Sequence, residues 1–518
     1  MVQLIKLIAE VLSSLLQPFS SKYFLLAAIF LILIYKWSFT TSTPNPSPPS
    51  PRKLPVIGNL HQLGLYPHRS LRALAQRHGP LMMLHFGSMP VLVVSSAEAA
   101  SEVMKTHDIP LSNRPKITFF KKFLYDCKDV ASAPYGEYWR QIKSICVLNL
   151  LSSKKVRSFR AVREEEAKSM ISNIMKQSTS TTSSVFNLSD IFRTHTKDVI
   201  FRVTLGTKYS DGNQDGKMFK GLAMELNEIA SRINIGDYIP WLSWFSRLSG
   251  LDAKQDDLAK RLDDFLETVV QEHMDGDGHV KNEDEKDIVD VLLSLQKENV
   301  LAIPLDRVCI KAITLDMFAA GTDTTSTTLE WTMSELLRHP RVMKKLQDEV
   351  RGTVGNKTDV TEDDLVGMHY LKAVIKEALR LHPPLPLLLP RISTQDVKIN
   401  GYNIKASTLV IVNAWQIGRD PKSYNNPEEY EPERFLSSDI DYKGNDLELI
   451  PFGAGRRGCP GTQFAVAVEE ITLANLVHKF DWALPGGARG EDLDMSESTG
   501  VHVRRKYPLK AVAIPYSC

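Results

Sequence analysis

Cysteine is scarce: five residues in 518, at positions 127, 146, 309, 459 and 518. No two stand at C-x-x-C spacing, which argues against a disulfide framework and for a reduced, cytosol-facing body. A working thiol here acts alone or on a metal. An excess of charge of one sign is missing as well. Sixty-three Lys and Arg oppose 61 Asp and Glu, a formal charge of +2, which excludes a general nucleic-acid or acidic-surface binder. No internal repeat period is present. A calcium loop is absent too, because "MDGDGHVKNEDEK" at 274–286 lacks the required spacing and closing Glu, and reads as a solvated connector. What remains, 43% hydrophobic and 24% charged, is an ordinary folding composition.

Long apolar runs are also few. The longest uncharged one, "YFLLAAIFLILIY" from Tyr23 to Tyr35, is bracketed by Lys22 and Lys36. Counted from Gln17 to Trp37, with the lysines reaching outward and the aromatic residues at the interfaces, it attains the roughly 20 residues of a span. No small-residue cleavage site follows, so residues 1–38 are expected to be an uncleaved membrane anchor. Lys36, Arg52 and Lys53 beyond it predict a cytosolic body. On that topology the sequons at Asn187 and Asn356 are chance matches. Six prolines between Pro44 and Pro55 predict a semi-rigid hinge over 39–55.

Residues 56–518 read as one large domain, mainly α with small β-sheets. Short β-like pieces lie around Leu81 to Val94. Helical periodicity then dominates, as at Glu137–Leu151, Val162–Lys176 and Asp256–Met274. An unbroken helical pattern from Leu305 to Arg338 would span roughly 50 Å. Beyond Pro383 short strands return, such as Thr408–Val412, and a last helix covers Thr462–Lys479.

The decisive stretch is "PFGAGRRGCPG", Pro451 to Gly461. Gly453 to Gly458 spells G-x-G-x-x-G, the dinucleotide fingerprint. That fingerprint needs a strand before it and a βαβ unit behind it. The preceding "LELIPF" is broken by Pro451, and about 60 residues remain after Gly458, too few for the sheet. The loop makes better sense around its sulfur. A helix beginning at Thr462 brings unsatisfied N–H groups to Cys459, which predicts a lowered thiol pKa and a metal-ligating thiolate. Gly453, Gly455, Gly458 and Gly461 let the backbone pass close to something large and flat. Arg457 stands where it can pair with carboxylates on that object.

Phe452, Gly455, Arg457, Cys459 and Gly461 form F-x-x-G-x-R-x-C-x-G, which resembles the haem-thiolate signature of the cytochrome P450 superfamily. Three further motifs follow the same resemblance: "AGTDTT" at Ala320–Thr325, Glu377 and Arg380 as E-x-x-R in "KEALRLHPP", and Glu433 with Arg434 in "PERF". The likeness covers the whole chain and is strongest to plant microsomal A-type enzymes of specialised metabolism.

The resemblance implies a role for each of these residues. Cys459 would be the axial iron ligand of haem b, its thiolate favouring O–O cleavage. Trp139, Arg391 and Arg457 would meet the haem propionates. The family's W-x-x-x-R is Trp139 with Lys143 here, which keeps the charge but loses the forked donor; Arg140 reads as a solvated helix residue. Asp323 and Thr324 would deliver protons during oxygen activation. Five threonines and Gly321 between 321 and 328 are poor helix formers, and hydroxyls bonding back to carbonyls would bend the helix and open it locally. Glu377, Arg380 and Arg434 would form a buried structural network. An apolar substrate lining would come from Ile117–Phe123, Met224–Trp244, Met317–Ala320, Leu385–Leu389 and Ser498–Val501, suited to a small lipophilic molecule.

The implied activity is an endoplasmic-reticulum monooxygenase that inserts one oxygen atom from O2 into a lipophilic plant metabolite. No flavin or nicotinamide motif is present, so electrons would come from NADPH through a partner, NADPH-cytochrome P450 reductase. Two alternatives stay open: a haem-thiolate dehydratase or isomerase that needs no O2, as in aldoxime dehydration, and a non-catalytic haem-binding sensor.

Overall fold

The computed structural model describes residues 28–32, 47–180, 184–208, 214–230, 234–275, 282, 284–298 and 301–516. The expected anchor lies outside the described residues except for 28–32, which are helical and exposed. Among the described residues no helix is long and apolar enough to cross a membrane. Most of the connector at 274–286 also lies outside them.

The site is positioned by five helices and one sheet. Strands β1 (Leu81–Phe86) and β2 (Met89–Val94) form a hairpin that turns at Gly87, whose φ of 58° suits glycine. Helices α1 (Glu137–Ile145), α2 (Leu188–Leu205), α3 (Arg307–Arg338) and α4 (His369–Leu381) follow. Strands β3 (Arg391–Ile392) and β4 (Leu409–Val412) then complete the sheet in the order β1-β2-β4-β3. β4 runs parallel to β2 and antiparallel to β3. Its "LVIV" is buried throughout, as a strand covered on both faces should be. Helix α5 (Thr462–Lys479) closes the arrangement, with the bounds expected from sequence.

The long helix α3 starts two residues later than its sequence pattern suggests. Asp306 caps it, its carboxylate accepting the Cys309 N–H at 2.7 Å. It ends at His339, before Pro340 opens the next helix. At 32 residues it runs about 48 Å. Apolar and polar residues alike are buried around it, which marks an interior helix. The local opening expected at the threonine run does not occur, and helical structure continues through it. The reason is packing: α2 lies against α3 so closely that a Cβ on Gly321 would come within 2.4 Å of Ile200 Cδ1. The helix expected over Glu137–Leu151 is α-helical only to Ile145 and widens into a π-helical turn from Cys146 to Leu150.

Candidate functional site

The loop from Phe452 to Gly461 folds around its cysteine. The Cys459 N–H donates to the Phe452 carbonyl at 2.9 Å, and the Gly458 N–H to the Gly455 carbonyl at 3.0 Å. Gly453 and Gly455 take φ of 70° and 68°, the left-handed region glycine favours. Gly455 is held for a second reason, since a Cβ there would lie 2.2 Å from the Met104 carbonyl oxygen. The phenyl ring of Phe452 packs edge-on to Tyr442, centroids 5.8 Å apart.

Cys459 keeps accessible surface, yet its sulfur stands deep in the protein, and burial pushes the thiol pKa above its ordinary value. The N–H groups of Gly461 and Thr462 and the Lys143 ammonium pull the other way, as a helix start should. Desolvation outweighs them, which corrects the expected lowering by the helix end alone. A bound cation is what makes such a sulfur a thiolate, because a coordinating thiol is deprotonated outright. Cys127, Cys146 and Cys309 are buried with raised pKa values, Cys146 to about 12.

Around the loop stand three buried arginines and one half-buried lysine. Arg457 donates to the carbonyls of Ser112 at 2.6 Å and Ala133 at 2.5 Å, with its guanidinium 4.1 Å from the Trp139 ring centre. Arg391 donates to Asp108 at 3.0 Å and to the Ala454 carbonyl at 2.8 Å. Arg114, which sequence reasoning missed, donates to the carbonyls of Leu389 at 2.7 Å, Pro390 at 2.8 Å and Ala131 at 2.9 Å. Lys143 lies apart from the arginines' fork and donates to the Gly458 carbonyl at 2.6 Å, on the sulfur's side of the loop. Burial draws these cations down, Arg457 to about 9 and Arg114, Arg391 and Lys143 in the same direction, with repulsion from neighbouring cations adding to it at Arg457, Arg114 and Lys143. Asp108 and Asp129 offset only part of this. A dianionic group set beside Cys459 would complete the charge balance, and the two propionates of a haem fit that requirement. The Trp139 N–H, expected at a propionate, donates to the Val130 carbonyl at 3.0 Å.

Arg456 gains a position the sequence did not suggest. Its backbone N–H donates to Asp108 at 2.9 Å and its half-exposed side chain reaches the same carboxylate at 3.6 Å. Asp108 therefore ties the cysteine loop to Arg391.

On α3 the Thr324 hydroxyl donates back to the Ala320 carbonyl at 2.5 Å. Asp323 accepts from the Asn227 side chain and has the Arg504 guanidinium at 3.9 Å. Ala319 and Ala320 are exposed on a helix that is mostly buried in the turn before them and half-buried in the turn after, so α3 presents open surface at this point. Two of the segments expected to line a substrate space are joined to each other. The Thr118 hydroxyl donates to Asp237 at 2.6 Å, and Phe119 packs on Phe123 with centroids 5.0 Å apart. Val503 donates through its N–H to the Pro384 carbonyl at 3.0 Å. Lys122 points away to Asp256 at 2.7 Å.

Glu377 and Arg380 on α4 are both fully buried and meet through two bonds of 2.7 Å. Arg434 adds a third contact to Glu377 at 3.0 Å. Arg380 also donates to the carbonyls of Gly418, Pro427 and Glu429. Every polar atom of this buried pair is thereby used, which is what makes burying the charges tolerable.

Comparison with known proteins shows the family. The Cytochrome P450 family model matches residues 48–510. The chain is 66% identical to cytochrome P450 736A117 of Prunus mume over 510 residues, 97% of each chain. It is 53% identical to norfluorocurarine oxidase of Strychnos sp over 489 residues, 93% of this chain and 95% of that one. A solved zebra fish cytochrome P450 with abiraterone superposes with a TM-score of 0.72 at 25% identity, covering 87% of this chain and all of the other. The chain belongs to the cytochrome P450 family and is a P450 monooxygenase, with haem b as cofactor and O2 and NADPH-derived electrons as co-substrates.

Proposed function

We propose that this protein inserts one oxygen atom into a small lipophilic plant secondary metabolite, such as a terpenoid, a phenylpropanoid or coumarin, or an alkaloid. The observation that carries the reading is Cys459 presented beside the buried Arg114, Arg391 and Arg457 and the half-buried Lys143, whose charges Asp108 and Asp129 offset only in part. Haem bound there supplies the activation of O2. Cys459 would ligate its iron, with Arg114, Arg391 and Arg457 meeting its carboxylates and Lys143 holding the cysteine loop. Asp323 and Thr324 hold the positions for moving a proton toward the reacting oxygen, Thr324 through the hydroxyl now resting on Ala320. The Phe119–Phe123 cluster and the Leu385–Leu389 turn would exclude water and orient an apolar substrate.

The reading includes an anchor at 1–38, a hinge at 39–55, a catalytic domain at 56–518 on the cytosolic face of the endoplasmic reticulum, and NADPH-cytochrome P450 reductase as electron donor. Exposed Trp241, Trp244, Phe245 and Leu248 support contact with a membrane, since such a run of large apolar side chains is costly in water. Similarity to norfluorocurarine oxidase adds norfluorocurarine to the candidate substrates.

The test is spectral and kinetic. Cys459→Ser should lose the red-shifted Soret band of the reduced carbonyl complex. A variant that keeps the band would overturn the ligand assignment. Oxidation of a screened lipophilic panel should need both O2 and reductase, and turnover without them would favour the dehydratase or isomerase reading.

A further inference from the structure

Two carboxyl groups outside the motifs meet beneath the cation cluster. Asp316, on α3 two turns before Asp323, is buried with its carboxyl beside that of Asp129. Asp129 is itself fully buried in the loop that precedes α1. Two buried carboxyl groups side by side can hydrogen-bond to each other only when one of them carries a proton. Asp316 also accepts the Val130 N–H at 2.8 Å, and Asp129 accepts the Ser132 N–H at 2.8 Å and the Ser132 hydroxyl.

The loop so gripped is the one that orients the cations. The Val130 carbonyl accepts from Trp139 and from Arg457, the Ala131 carbonyl from Arg114, and the Ala133 carbonyl from Arg457. The residues leading into it are strained. Tyr125, Asp126 and Cys127 take φ of 51°, 56° and 65° in succession, none of them glycine. Such a run persists only where its surroundings hold it.

We propose that Asp129 and Asp316 share one proton and together act as a positioning clamp, which fastens loop 128–133 to α3 and so sets Arg114, Trp139 and Arg457 for the haem carboxylates. Neither residue touches the haem under this proposal, and it rests on the haem reading above. Losing the shared proton puts two negative charges against each other in a buried site and loosens the loop. The groups facing the pair are few. Cys146 of the π-helical turn lies by Asp316, with Lys143 beside that thiol. Arg114, Arg457, Cys127 and Tyr138 face Asp129. The arginines favour ionised Asp129, but burial of both carboxyls outweighs them and raises their proton affinity. For a carboxyl whose folded pKa is raised, stability declines as pH climbs above the ordinary value near 4.

The experiment measures haem release from the holoenzyme to apomyoglobin between pH 6 and 9. Wild type should release haem faster as pH rises. Asp316→Asn keeps an acceptor for the Val130 N–H and a donor for Asp129 without titrating. It should hold haem with a flattened pH profile, whereas Asp316→Ala should release it about tenfold faster at every pH, roughly the loss of one such hydrogen bond. An Asp316→Asn profile that parallels wild type, or Asp316→Ala release no faster than wild type, overturns the clamp. Should Asp316→Ala fail to fold, Asp129→Asn substitutes for it and should flatten the profile in the same way; an unflattened profile counts against the clamp. A wild-type chain that takes up no haem would instead sink the underlying haem reading, so the two failures are distinguishable.

Discussion

Two glycines of the cysteine loop share a left-handed backbone but differ in what surrounds them. At Gly453 the nearest atom to an added Cβ is Leu388 Cδ1 at 3.8 Å, ordinary contact. At Gly455 the Cβ would meet the Met104 carbonyl at 2.2 Å and both Asp108 carboxylate oxygens at 3.0 Å. Gly453→Ala should therefore cost only backbone strain, about 1 kcal/mol. Gly455→Ala should cost about 3 kcal/mol and shift Asp108, which also holds Arg391. Thermal melts and haem content per chain check this, and equal losses at the two positions would remove the steric argument. Cys459, Arg457 and these glycines were legible in the sequence because a tight loop must spell its backbone needs within a few residues. Asp108 and Arg114 were not. Asp108 reaches the loop from 348 residues away and Arg114 bonds Leu389 from 275 residues away, so no local spacing announces either.

At the scale of the element, α3 shows the same division. Its length and its end before Pro340 could be read from apolar periodicity and a proline. Its continuity through Gly321 and the threonines could not, because intrinsic propensity argues for a break and the packing of α2 overrides it. The hydroxyls of Thr324, Thr328 and Thr332 each donate to the carbonyl four residues earlier. These are accessory bonds, since each carbonyl already lies within continuous helix. Thr324→Ala should accordingly leave stability within about 0.5 kcal/mol of wild type, alanine being the better helix former. Haem content should also stay unchanged. If the hydroxyl serves proton delivery, the same variant should divert NADPH-derived electrons to hydrogen peroxide. Product and peroxide measured per NADPH consumed decide the matter: fully coupled turnover would leave Thr324 a packing residue only.

For the whole molecule the question is what joins its distant parts, and buried carboxylates answer it repeatedly. Glu377 links α4 to the segment around Arg434. Glu335 joins α3 to His382 and His339. Glu497 makes the longest connection, accepting from His68 at 3.0 Å and Arg69 at 2.7 Å, while its carbonyl accepts the Tyr66 hydroxyl at 3.1 Å. Burial would raise this carboxyl's pKa, but the bonds from His68 and Arg69 outweigh it and hold the value down to about 2. A carboxylate with a depressed folded pKa stabilises the fold above its unfolded value, near 4.3, and that contribution disappears as pH falls toward 2. At about 1.4 kcal/mol per unit its upper bound is about 3 kcal/mol. Glu497→Gln keeps the shape and removes the charge, and the half-exposed Arg69 can turn to solvent. The variant should therefore be less stable than wild type by about 2 kcal/mol at pH 7. The gap should narrow between pH 4.5 and 2 as the wild type itself becomes protonated. Denaturant midpoints across that range measure it, and a gap that is constant with pH would mean that Glu497 joins the two ends of the chain by shape alone.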